Sequence, residues 1–428
     1  MGRALPRRAL VASIGGALCA LFAATSAVNA APRPQFEAAA AAGHPSLLLG
    51  RSSALSGGLL VAGGTTAAGK GAVFIFRRPK GGWHDVTPVA ILTLRNEPAG
   101  DGFGVSVATD GSTIIVGAPE TTVRGHTNAG AAYVYARPPH GWASTSHPTA
   151  RLTDSSPADS DFVGGQVGVS GRTALVGAAN RDVGSQADAG AGLIFVEPPQ
   201  GWATRHQTAV LTSSTATAAD QTGIDVAISG TRVVLGSRAG DALVFVRPHS
   251  GWADATETRR LGPGTPSATF GQGVAINGTT VAVGDPGYTG SHISQGAVYV
   301  FQRPAGSGWG GGTSTLTPKA RLTAADGEAN DAIGSVLAVG YGIVVAGSPS
   351  HDVGTAQEQG VAYAWHMQQS GWHDSDSPRE LVAADGRQFD EFGSSVAANG
   401  RTVGVGAPFA DNPNIANDDS DGVEYVFP

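Results

Sequence analysis

The residues best suited to hold an ion lie near the C-terminus. Asn417, Asp419 and Asp421 carry oxygen-bearing side chains at alternate positions, and Gly422 follows. A calcium loop begins this way, because the hard cation takes oxygen ligands from alternate residues of a sharply turning chain. The pattern is incomplete: the ninth position is Tyr425, and the twelfth, where a bidentate Glu belongs, is Pro428. Calcium is thus the one cofactor the sequence suggests, and the reading requires none. The eleven histidines offer a second kind of ligand. His126, His292 and His351 fall in acidic loops where carboxylates could join them on a metal. His84, His140, His249 and His373 sit in or beside a turn that recurs along the chain. No His-Glu-x-x-His and no Gly-x-Ser-x-Gly occurs, so no catalytic or cofactor-binding residue is assigned.

The elements that would position these residues repeat seven times. Each copy ends a strand at a glycine: Val61-Ala62-Gly63, Val116-Gly117-Ala118-Pro119, Val176-Gly177-Ala178, Leu235-Gly236, Val283-Gly284-Asp285-Pro286, Ala346-Gly347-Ser348-Pro349 and Val405-Gly406-Ala407-Pro408. Within a unit, Phe103 to Ala108 reads as a first strand and Asp110-Gly111 as a hairpin turn. Thr113 to Val116, Ala131 to Tyr135 and Thr149 to Leu152 complete four strands with period-two alternation. A repeat near 60 residues, filled only with short strands, predicts an all-β, seven-bladed propeller of four-stranded antiparallel blades. A Gly-Trp turn recurs at Trp83, Trp142, Trp202, Trp252, Trp309 and Trp372. Six equal copies argue for packing residues rather than a sugar platform.

The seventh unit reads only as far as Val423 to Phe427. An N-terminal strand is expected to complete it, and Pro45 to Leu49 resembles the missing fourth strand. Closure of this kind hides a sheet edge that would otherwise pair with other chains. The expected organisation is a signal peptide at 1–30, an Ala/Pro-rich linker at 31–44 and the propeller at 45–428. Arg3, Arg7 and Arg8 precede an apolar run from Leu10 to Ala24, and Val28-Asn29-Ala30 suits cleavage after Ala30. The protein is therefore expected to be secreted, and the Arg7-Arg8 pair fits twin-arginine export as well as the general route. Cys19, the only cysteine, leaves with that segment, so no disulfide or thiolate metal site is expected. Losing three arginines and no acid moves the net charge from −7 to −10. That excludes a nucleic-acid reader, which needs a basic stripe. No membrane span is expected after cleavage.

Phe103-Gly104, Phe270-Gly271 and Phe392-Gly393, each followed by a strand and a Gly-Ala-Pro-like end, resemble FG-GAP repeat proteins. Leu322 to Gly327, read on through Tyr363, resembles the bacterial branch of that family. The resemblance implies a propeller like the head of integrin α subunits, an adhesion and ligand-binding module. Two departures stand out. The turns between first and second strands, such as Ser170-Gly171-Arg172 and Asn277-Gly278-Thr279, are too short to wrap the calcium those heads carry. Blade four reads as degenerate, with Thr222-Gly223 for Phe-Gly and Gly236-Ser237-Arg238 for Gly-Ala-Pro. About 23 of the 34 acids fall in the loops of one face, where some, such as Asp101, Asp161, Asp331 and Asp390, suit the capping of backbone N–H groups. The expected function is a monomeric, non-catalytic module that binds a protein or glycan through this acidic face. The alternatives are a purely structural surface component or a polysaccharide-acting enzyme.

Overall fold

Each repeat is organised around two glycines with different jobs. The glycine of the Phe-Gly pair turns the chain left-handed, with φ of +89° at Gly104, +99° at Gly271 and +101° at Gly393; no β-branched or bulky side chain sits comfortably there. The glycine ending the second strand makes room. A methyl group on Gly117 would collide with the carbonyl oxygen of Gly164 in the next repeat, and the same collision recurs at Gly63, Gly177, Gly236, Gly284, Gly347 and Gly406. The two motifs therefore recur together because each blade's turn rests on its neighbour's strand.

The computed structural model describes residues 36–39, 46–66, 68–95, 100–306, 308–310, 314–411 and 421–428. They form an all-β, seven-bladed propeller. The first and fourth strands are Ser46–Ser56 and Ala90–Leu92 in blade one, Val107–Thr109 and Ala150–Thr153 in two, and Val167–Ser170 and Ala209–Thr212 in three. They are Val226–Ser229 and Arg259–Leu261 in blade four, Val274–Asn277 and Ala320–Leu322 in five, and Val336–Gly340 and Arg379–Leu381 in six. Blade seven joins Ser395–Asn399, Thr402–Ala407 and Val423–Phe427 to the N-terminal Phe36–Ala38, which pairs antiparallel with Val423–Phe427. First strands line a central cavity of about 340 Å³ with residues from all seven blades.

An N-terminal strand thus closes the ring, but its position corrects the sequence reading. Phe36–Ala38 lies inside the expected linker, and Ser46–Ser56 is the innermost strand of blade one. Leu49-Gly50 is that blade's version of Phe-Gly: Leu49 is fully buried and Gly50 has a φ of +92°. With Leu in place of Phe, the turn passes for the end of an apolar strand. The first strands also begin later than expected, at Val107 rather than Phe103, because left-handed Gly104 interrupts the extended chain. Blade four is complete despite its signature: Thr222 is buried in the Phe slot. The signal-peptide residues 1–30 lie outside the described residues.

Seven apolar clusters fill the seven junctions between blades. Phe103 packs edge-on to Tyr133 and Tyr135, Phe270 to Tyr299 and Phe301, and Phe392 packs on Tyr425 and Phe427. The recurring tryptophans are buried or half-buried in six of the junctions. Each buried ring contributes roughly 1.5–3 kcal/mol by leaving water. After its tryptophan, the chain of each of blades one to six crosses to the preceding blade and pairs parallel with its fourth strand. These contacts are Ala38 with Val86, Leu92 with Thr145, Leu152 with Arg205, Leu211 with Ala255, Leu261 with Leu316, and Leu322 with Ser375. No described helix is long and apolar enough to cross a membrane.

Candidate functional site

The loops after second strands and after fourth strands share one face. Four of the acids there have a repeated structural task. Asp161, Asp220, Asp331 and Asp390 each accept the backbone N–H three residues upstream, at 2.6–2.7 Å. Blade five has Ala268 at this position, and Asp285 at the end of its second strand takes hydroxyl hydrogen bonds from Ser267 and Thr269 instead. Burial pushes Asp161 up to about 6.

With those acids accounted for, the face is electrically uneven. Beside Asp331 and Asp390, the described residues of the loops 323–335, 349–360, 382–394 and 408–422, all of blades six and seven, hold eight further acids and one arginine, Arg387. Around blades two to four, Arg95, Arg124, Arg181 and Arg238 are interspersed with the acids. The fourth strands deepen the contrast. Opposite the third-strand tyrosine stands Arg151 in blade two and Arg321 in blade five, but Glu380 in blade six and Glu37 in blade seven. Burial and the neighbouring Asp326 push the Glu380 carboxyl up, and burial with Asp385 and Asp85 does the same to Glu37. Tyr425 donates to Asp385 Oδ1 at 3.2 Å.

This acidic sector also exposes apolar side chains. Phe389 is 48% exposed and Phe409 39%. Arg387 pairs with Asp411, which draws the two phenylalanine-bearing loops together. Ile293, 70% exposed, stands on the adjoining loop of blade five, whose carbonyl accepts the Asn330 N–H.

The residues singled out in the sequence fare differently. Asn417 and Asp419 lie outside the described residues. Asp421 is buried, and its carbonyl accepts the Leu49 N–H, as the carbonyls of Gln295 and Gln359 accept from Ile333 and Phe392. It therefore occupies an ordinary position of the repeat. His126 meets Asp159 at 3.4 Å on the surface, and His292 donates to the Gly327 carbonyl. His351 is buried and lies 2.9 Å from Asp331 Oδ2, beside Glu328. Of the signature residues, Phe103, Phe270, Phe392, Ala118 and Ala407 are buried, and Gly104, Gly271, Gly393, Gly117, Gly284, Gly347 and Gly406 shape backbone contacts. Pro119, Pro286 and Pro408 are buried and Pro349 half-buried at the same strand ends. All are structural. Glu37 and Glu380 escaped sequence reasoning. Aligning the fourth strands exposes them, since one column runs Ile91, Arg151, Val210, Arg260, Arg321, Glu380, Glu37.

The FG-GAP repeat family matches the chain three times, at residues 86–135, 263–301 and 378–427. No curated protein matches it.

Proposed function

We propose that this FG-GAP repeat propeller is a secreted, monomeric, non-catalytic binding module that takes a basic stretch of a protein partner on the loop face of blades six and seven. The observation that carries this reading is the exposure of Phe389 and Phe409 among the acids of that sector. Exposed aromatic rings beside carboxylates suit arginine and lysine, through cation–π contact and ion pairing together. Loops on a rigid scaffold are the usual seat of recognition. The packing of most of the tryptophans between blades favours a protein partner over a glycan. Export rests on the basic, apolar and small-residue succession of residues 1–30.

The test is a binding screen of Arg/Lys-rich against Glu/Asp-rich peptides at low and high salt. Basic peptides are expected to bind, less tightly as salt rises, with Phe389→Ala and Phe409→Ala each weakening binding several-fold. Equal binding of acidic peptides, or no binding of either class, overturns the proposal.

A further inference from the structure

Blade six carries a cluster that the repeat does not explain. Asp331 Oδ2 accepts both the Glu328 N–H and the His351 ring, at 2.6 and 2.9 Å. The potential ligand atoms of Glu328, Asp331 and His351 all lie within 4.8 Å of one another. Asp331 is 1% exposed and His351 8%. Asp161 and Asp390 occupy the same repeat position as Asp331 without such company. The residue corresponding to His351 is Thr121 in blade two and Arg181 in blade three.

We propose that Glu328, Asp331 and His351 bind a divalent first-row transition ion. The first support is geometric: Asp331 and His351 are both buried and meet at 2.9 Å, and the exposed Glu328 carboxylate stands beside them. The second support is independent of the ligands. The hydroxyl of Tyr363, a fully buried residue, comes near Asp326 without hydrogen-bond geometry to any protein atom. Its ring stands edge-on to His351, with centroids 6.0 Å apart. A buried hydroxyl left unpaired costs roughly 1–3 kcal/mol, and a water ligand of a bound ion would supply its partner. The donor set decides the metal class. Calcium and magnesium take oxygen shells, whereas one imidazole with two carboxylates suits zinc or manganese. Ligand bonds of about 2.0–2.2 Å need these atoms slightly closer together, and the exposed Glu328 side chain is free to close.

The test is calorimetric titration of the chelator-treated full chain with Zn²⁺ and with Mn²⁺, and with Ca²⁺ as the hard-cation control. One stoichiometric site is expected for a transition ion, at least tenfold weaker in both Glu328→Gln and His351→Gln, with a rise in melting temperature that both variants lose. Glu328→Gln alters an exposed side chain and keeps the fold in place should His351→Gln disturb it. Absence of Zn²⁺ and Mn²⁺ binding overturns the proposal, as does binding unchanged in both variants. Binding of Ca²⁺ alone, unaffected by either substitution, also overturns it and points to the Asn417–Asp421 loop.

Discussion

Ser395 Oγ donates to the Gly50 carbonyl at 2.7 Å, tying blade seven to blade one across 345 positions of sequence. Ser52 and Ser106 make the same bond to Gly104 and Gly164 of the following blades. The ring is thus closed by the interaction that joins its ordinary neighbours. A methyl group on Gly406 would collide with the same Gly50 carbonyl and with Ser395 Oγ. Ser395→Ala is expected to cost about 1–3 kcal/mol by leaving a buried acceptor unpaired. Gly406→Ala is expected to cost at least as much through overpacking against backbone. Urea denaturation measures both, and unchanged midpoints would count against this account of closure.

Removal of the closing strand is a stronger perturbation of the same junction. Without Phe36–Ala38, the edge of Val423–Phe427 loses its partner, and an unpaired strand recruits other chains. A chain starting at residue 40 should melt at a lower temperature and aggregate on heating, as followed by light scattering. Retention of the full-length melting temperature would show the strand to be dispensable.

The fold was legible because two glycine constraints are enforced by backbone contacts, and no side chain can stand in for the missing Cβ at Gly117 or its counterparts. Where the constraint bears on a side chain instead, the signal drifts. Leu49, Val163, Thr222 and Ile333 all fill the slot that Phe103 fills in blade two, and the drift to Leu49 is what moved the closing strand to the wrong segment. The candidate site was less legible because its acids belong to two populations that look alike in sequence. Asp161 and Asp331 cap the same turn, and only the partner brought in by a distant loop, His351, separates them.

The tryptophans offer a separate test of packing against recognition. Trp309 is 2% exposed at the junction of blades four and five, and its indole N–H has no acceptor among the described residues. Its worth is then the ring's volume and not its hydrogen bond. Trp309→Ala should destabilise by about 3–5 kcal/mol, whereas Trp309→Phe keeps most of the packing and should cost under half as much. Equal losses in the two variants would indicate that the N–H matters. A loss of peptide binding without a loss of stability would make the tryptophan a recognition residue.

Stability should also depend on pH through carboxyls that folding buries or half-buries. Burial raises Asp225 to about 7, against the opposing N–H groups of Val274 and Val226 that favour its charged form. Burial likewise raises Asp161, to about 6, and holds Glu424 well above its ordinary range. In the unfolded chain an aspartate titrates near 3.9. Between that value and the folded one, the native state holds protons that the unfolded state has released. Such a group's contribution is complete below about pH 4 and is lost as pH rises through about 6 for Asp161 and about 7 for Asp225. Asp154 works in the opposite sense. Burial raises it, but the bond from Arg181 and its other donors outweigh burial and hold it below its usual value, so its contribution fades in stronger acid. Unfolding free energy should therefore fall as pH is raised from about 4 to 7. Asp225→Asn removes one of these raised carboxyls, and should flatten the decline while melting above the wild type at pH 8. Urea denaturation of both proteins at half-unit intervals of pH measures the two slopes, and parallel slopes would mean that Asp225 stays ionised in the fold.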